Sequence, residues 1–521
     1  MAPTAADVST AFRSHLELAI NHPSKYHSKV IPNLRHRTFD HLMKPLVAFS
    51  LLLTLAGTLR AAFVPDFKLK PDDYTVLMAV DAKASPGLAV FQGGSHGKFF
   101  VHGWNQPDQK LEWKLQVAQA DSYAAEILIQ RISGPELRLN LTVDGKTFSA
   151  TLPADAEKLQ RVPLGSVIPF TAGPHDISLS IQPGAGEKFD VRVHAVEFVR
   201  PSVRKSLHET ALRIRKHADT AWFQKARYGM MVHWTKQSMP LKGDPKSYEQ
   251  AVADFDVEAF ADTMKSTGAG FVVVTTSHAM QYFPAPLKSL DAIIPGRTTP
   301  RDLPAELAAA LAKRGMKLFL YFHLGAHDDP DWLKASGFWE TDTTRFFNNW
   351  KSIISEAGER YGDKLAGWWF DDGSTNYYYR SAPWESLVRA AKAGNPKRLV
   401  GFNAWEMNNP TEFHDYFTGE GFHDPRGFGE LLTPECKGIY PSGTHAGLQA
   451  SACLMADATW VHASRDTPPS GPRWNADQLT ELLKGFIARK NVPIFNLEIT
   501  QDGHLSPESI AVFTKAAAGL K

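Results

Sequence analysis

In the last three hundred or so residues, polar side chains recur where apolar runs stop. His233 and Trp234 follow RYGMMV, His278 follows GFVVVTTS and His323 closes KLFLYFH. Asp371 and Asp372 close LAGWWFDD, with Trp369 just before them. Asn403, Trp405 and Glu406 follow LVGF, Glu420 follows DYFTG, and Glu498 follows VPIFNL. A pair of carboxyl groups can divide the work of attacking, protonating and deprotonating across one bond. An indole can stack on the C–H face of a pyranose. The near balance of charges fits a neutral or mixed substrate.

These residues need elements to place them. From Trp222 onward, continuous apolar runs alternate with amphipathic stretches around 256–268, 301–315, 342–360, 382–393 and 476–489. Continuous apolar strands separated by helices mean parallel strands covered on both faces. About eight such units predict a (β/α)₈ TIM-like barrel, in which the C-terminal strand ends carry the chemistry. The seventh strand is expected near ATWVH (458–462). Residues 66–200 read differently: short runs such as KLEWKLQV and HDISLSI, rich in β-branched and aromatic residues and separated by Gly, Pro, Asp and Asn. That spacing predicts an all-β sandwich. Trp113 lies in an alternating strand and reads as core, and Trp104, between Gly103 and Asn105, is the better placed of the two for a ligand contact, with core packing as its other reading. Residues 201–221 form a charged linker with helical period.

Residues 1–62 read as an N-terminal extension and export segment. From Met43, MKPLVAFSLLLTLAGTLRAA has the basic start, short apolar middle and small-residue end of a secretory signal. A signal-anchor is the alternative. The expected location is secreted or periplasmic, with no membrane association beyond such an anchor. The chain has 57 basic and 55 acidic residues, a balance without the basic stripe of a nucleic-acid partner. Two cysteines, Cys436 and Cys453, build no zinc pattern; they form one bridge or remain as buried thiols. His323-x₃-His327-Asp328-Asp329 has metal-like content, but it runs from a strand into a loop without helical spacing. No metal and no cofactor are expected, and the glycines of GEGFHDPRGFG open no helix for a phosphate.

Across 222–521 the motifs resemble those of glycoside hydrolase family 29, the retaining α-L-fucosidases. WFQKARYGMMVHW resembles that family's opening strand, FDVEAFADTMKSTGAGFVVVTTSH its second unit, and GWWFDDG its nucleophile strand. HDYFTGEG and LLKGFIARKNVPIFNLEITQDGHLSPES resemble its sixth strand and closing stretch. The resemblance implies exo-hydrolysis of a terminal deoxy- or L-sugar from an oligo- or polysaccharide. It implies Asp371 as nucleophile, Glu420 as acid/base, and His233, Trp234 and His278 as sugar contacts. Asp372 is the rival nucleophile, since alternation puts it on the opposite strand face; Glu406 and Glu435 are rival acids. The sequence departs from the family where His-His-Asp-Gly-Phe is replaced by His278-Ala279-Met280-Gln281-Tyr282, and where Thr235 replaces a glycine. Those departures keep a second reading open: a non-catalytic glycan-binding protein on a degenerate barrel. The β-rich segment resembles the galactose-binding-like modules appended to glycosidases, which implies a sandwich of jelly-roll type that binds glycans or buttresses the barrel.

Overall fold

The computed structural model describes residues 67–92, 98–106, 108–154, 160–183, 188–323, 328–338, 340, 342–371, 382–403, 411–420, 437–440 and 446–520. The export segment, Asp372, Trp405, Glu406, Cys436, Glu435 and His327 lie outside these residues. Among the described residues, no helix is long and apolar enough to cross a membrane.

Residues 75–199 build two antiparallel sheets over one apolar core. One contains β1 (Thr75–Met78), β3 (Ala89–Gln92), β4 (Lys98–His102), β6 (Asp121–Ser133), β9 (Gln160–Phe170) and β11 (Asp190–Val199). The other contains β2 (Lys83–Ala84), β5 (Lys110–Val117), β7 (Leu137–Val143), β8 (Lys146–Leu152) and β10 (Gly173–Pro183). In β5, Leu111, Trp113, Leu115 and Val117 alternate inward, as the period of two requires. Strand β9 escapes the sequence pattern because Pro163 and Pro169 interrupt it. It is tolerated because β9 is an edge strand, paired only with β6, where a missing N–H need not break a second ladder. Trp104 takes its core reading: only 2% exposed, it packs in the core with Trp113 rather than on a ligand surface.

The helix Pro201–Arg215 joins the two parts. Its Arg204 donates to Glu126 of β6 at 2.9 Å, while Arg215 donates to the carbonyls of Glu412 and His414. Eight parallel strands follow: β12 (Gly229–Val232), β13 (Phe271–Ser277), β14 (Lys317–His323), β15 (Leu365–Asp371), β16 (Leu399–Phe402), β17 (Tyr416–Phe417), β18 (Gln449–Met455) and β19 (Val492–Leu497). They pair in the order 16-15-14-13-12-19-18-17, and a parallel bridge between Asn403 and Thr418 joins the two ends. The helices begin where the caps dictate. Asp256, Asp302 and Asn475 each accept the backbone N–H three residues on, and Asn475 forms a reciprocal box with Gln478. The seventh strand is Gln449–Met455, and 458–462 is the loop beyond it. Its small residues Ala450, Ser451 and Ala452 carry little strand propensity; burial between β17 and β19 overrides it.

The barrel interior is filled with rings. Phe223, Phe271, Phe319, Tyr321, Trp369 and Tyr416 are fully buried there with Met231, Val273 and Cys453. Three glycines make the space. A Cβ on Gly229 would meet the Phe271 ring at 2.3 Å, one on Gly367 the Phe319 ring at 2.3 Å, and one on Gly401 the Tyr416 ring at 2.5 Å.

Candidate active site

Strand register stacks the interior in two layers. Tyr321 pairs with Trp369, and two residues further along both strands His323 pairs with Asp371. Alternation sends all four inward, while Phe322 and Phe370 face the helix layer. The lower pair stacks, with centroids 5.1 Å apart, and the Trp369 indole donates to the Thr418 hydroxyl at 3.0 Å. Trp369 is thus floor, beneath the polar layer. The Tyr321 phenol donates upward to the Asp371 carboxylate.

The upper layer gathers most of the strand-end residues. Asn403, fully buried beyond β16, donates its amide to Asp371 Oδ1 at 2.8 Å and to Glu420 Oε1 at 2.7 Å. Glu420 is fixed by a backbone bridge to Cys453 of β18. Asp371 and Glu420 are 6% and 7% exposed, so each carboxylate sits at the edge of the protein interior. His233, His278 and His323 complete the group: His278 stands edge-on to His233 at 5.3 Å and to His323 at 5.4 Å. Donor atoms of His278, His323 and Asp371 lie within 4.8 Å of one another, a set with the composition a divalent cation uses. The Asp371 carboxylate already takes hydrogen bonds from Tyr321 and Asn403.

Burial pushes the His233 imidazole down to about 4, against the opposing effects of the Asn496 hydrogen bond and the Asp371 charge. His233 is therefore neutral at pH 7. Its tautomer is fixed as well. Asn496 gives its amide N–H groups to the carbonyls of Thr459 and Trp460, leaving its oxygen to face His233 Nδ1 at 2.6 Å. Nδ1 must donate, and Nε2 carries a lone pair. Burial, with the charges of Glu420 and Asp371, pushes the Cys453 thiol well up.

Two expected residues stand elsewhere. Trp234 turns outward into the layer of Tyr248 and Phe255, with its N–H on the Gln501 carbonyl. It supports the wall and is not gathered with the histidines. Glu498 binds His462 and Ser470 instead of joining Asp371 and Glu420. Tyr321, Asn496 and Trp460 were missed by sequence reasoning. A tyrosine at an inward position of KLFLYFH and an asparagine inside VPIFNL were the available signals, each a polar atom in an otherwise apolar strand. Trp460 lies 5.4 Å from His233, ring to ring, and is only partly buried.

The sequence model of the family described as alpha-L-fucosidase matches residues 246–513, just over half of the chain. The chain belongs to the alpha-L-fucosidase family. The family match begins within the first βα unit, after β12, and leaves the N-terminal β-sheets outside it. Tissue alpha-L-fucosidase of Bos taurus is 29% identical over 171 residues, covering 26% of this chain and 35% of that protein. That of Homo sapiens is 28% identical over 156 residues, covering 23% and 32%. The chain spans about a third of the length of these curated relatives. Solved alpha-L-fucosidases similar to it include AlfC from Lactobacillus casei in complex with its alpha-L-fucose product (18% identity, TM-score 0.41, 57% of this chain and 97% of that one). Isoenzyme 1 from Paenibacillus thiaminolyticus is 20% identical, with TM-score 0.44, over 58% of this chain and 75% of that one.

Proposed function

We propose that the chain is an exo-acting α-L-fucosidase-like glycoside hydrolase that works by retaining double displacement. The observation that carries this reading is the shared Asn403 amide. Both hydrogen bonds leave one nitrogen, so these two carboxylate oxygens are at most about 5.5 Å apart, on the close side that retaining enzymes use. An inverting pair needs a wider gap to admit a water between the carboxyls. In the first step Asp371 attacks the anomeric carbon while Glu420 protonates the departing oxygen. In the second, Glu420 takes a proton from water, which displaces Asp371 and releases the sugar with its configuration kept. Tyr321 and Asn403 hold the Asp371 carboxylate in place, and His233 Nε2 accepts a proton-bearing hydroxyl of the sugar.

The substrate is a terminal sugar on an oligo- or polysaccharide. Ala279 is buried, and Gln281 is fully buried beyond it, so the segment that replaces His-His-Asp-Gly has its own packing role. For that reason the test begins with α-L-fucoside and extends to other deoxy- and L-glycosides. The full chain and its Asp371→Ala and Glu420→Ala variants are assayed on a panel of aryl α-glycosides. Release from one glycoside, lost in Asp371→Ala and restored by azide as the glycosyl azide in Glu420→Ala, supports the reading. No release from any glycoside by the wild type refutes it and leaves the glycan-binding alternative. The two N-terminal sheets act as a buttress in this proposal, tied to the barrel by Arg204 and Arg215. Export remains part of the proposal, and sequencing the N-terminus of the mature protein tests cleavage near Ala62.

A further inference from the structure

Glu498 is a buried carboxylate that the proposed reaction does not use. It sits just beyond β19, 5% exposed, and accepts the His462 Nδ1 at 2.6 Å, the Ser470 backbone N–H at 2.9 Å and the Ser470 hydroxyl. Ser470 in turn accepts the Ala458 N–H at 2.9 Å. The loop that leaves β18 is therefore tied at its middle and its end to one side chain, and at its start to the Ser470 hydroxyl that side chain holds. A second carboxylate completes the tie: Asp457 accepts the Glu498 N–H at 2.8 Å and the Ser509 hydroxyl at 2.5 Å.

Between Ala458 and His462 the tied loop presents two things to the pocket. One is the Trp460 ring, set against His233. The other is a pair of carbonyls, of Thr459 and Trp460, which orient the Asn496 amide. Asn496 faces His233 through whichever end the carbonyls leave over. With both carbonyls in place the oxygen faces His233 and forces the Nδ1–H tautomer. Without them the amide is free to rotate by half a turn and present its N–H₂, and His233 then presents Nε2–H to the pocket.

We infer that Glu498 is a positioning residue: through His462 and Ser470 it holds the Trp460 loop, and through Asn496 it fixes which nitrogen of His233 accepts a sugar hydroxyl. The loop thus decides whether the pocket offers an acceptor or a donor at that point. A site built to match a hydroxyl discriminates through such polarity, because the wrong partner leaves a buried polar group unmatched.

The inference rests on the proposed hydrolytic reading only for its kinetic arm. The experiment uses full-length protein labelled with ¹⁵N-histidine, comparing wild type, Glu498→Ala, Glu498→Gln and His462→Phe. Imidazole ¹⁵N shifts, with His233 assigned from a His233→Gln variant, read the tautomer directly. The wild type is expected to show His233 as pure Nδ1–H. Glu498→Ala is expected to show averaged tautomer shifts, and a KM for the hydrolysed aryl glycoside raised roughly tenfold with a smaller change in kcat. Glu498→Gln, which keeps one acceptor oxygen, is expected to lie between them, and His462→Phe to follow Glu498→Ala in part. A His233 that stays pure Nδ1–H in Glu498→Ala, with KM unchanged and only the melting temperature lowered, overturns the inference. If no glycoside is hydrolysed, the tautomer shifts still decide this point while the hydrolytic reading fails separately.

Discussion

Replacing Asn403 with alanine removes one amide that two carboxylates share. Each of those bonds runs from a neutral donor to a buried acceptor, at 2.8 and 2.7 Å. A hydrogen bond to a charged group contributes about 1.5–3 kcal/mol. Losing both leaves two neighbouring buried carboxylates without the donor that holds them in one geometry, so the effect should fall on the chemical step rather than on the fold. At the optimum, the loss of a preorganised donor should lower kcat/KM by roughly 10²–10³. The assay is a pH series on the aryl glycoside that the wild type hydrolyses, with circular dichroism confirming the fold. A kcat/KM nearly unchanged across the series in a folded Asn403→Ala would falsify the shared-amide reasoning.

Other outcomes follow from groups outside that pair. His233 has its folded pKa pushed down to about 4 by burial, below its unfolded value of about 6.5, so the unfolded chain binds the extra proton as pH falls. Its contribution is present above pH 6.5 and lost on the way down to 4: a few kcal/mol of urea stability should go between pH 7 and 4.5, less in His233→Gln. An equal pH loss in the variant would count against this. Arg398 is fully buried and donates to the carbonyls of Leu365, Ala391, Ala393, Gly358 and Gly362. Arg398→Met should destabilise the protein by about 3–5 kcal/mol in denaturant titration, since those carbonyls lose a charged donor; a change under about 1 kcal/mol would contradict that role. Cys453 should resist iodoacetamide at pH 8 in the folded protein and react on unfolding, as peptide mass spectrometry would show; rapid native labelling would contradict its burial.

Much of the barrel was legible because strands buried on both faces read as unbroken apolar runs, and because a polar residue at the end of such a run has few reasons to be there. That rule located Asp371, Asn403, Glu420 and the three histidines. It did not separate the residues it found. Trp234 and Glu498 obey it as well as Asp371 does, yet one packs outward on Tyr248 and the other ties a loop. Which way a side chain turns past a strand end depends on neighbours far away in sequence, and a single chain gives no register for them. The same limit hid Trp460: alternation suggested a strand over ATWVH, while the small residues before it made the actual one. Trp104 was ambiguous for a related reason, since flanking Gly and Asn mark a turn but do not say whether its ring faces outward.

The ring-filled lower barrel has a consequence for traffic. Phe271, Phe319 and Tyr416 occupy the space over Gly229, Gly367 and Gly401, so among the described residues the polar layer rests on a packed floor of rings. In the proposed reaction the departing alcohol and the incoming acceptor both pass on the side where the strands end, away from that floor. A water and a second sugar hydroxyl then compete for the position the alcohol leaves, and the partition between hydrolysis and transfer should depend on acceptor concentration.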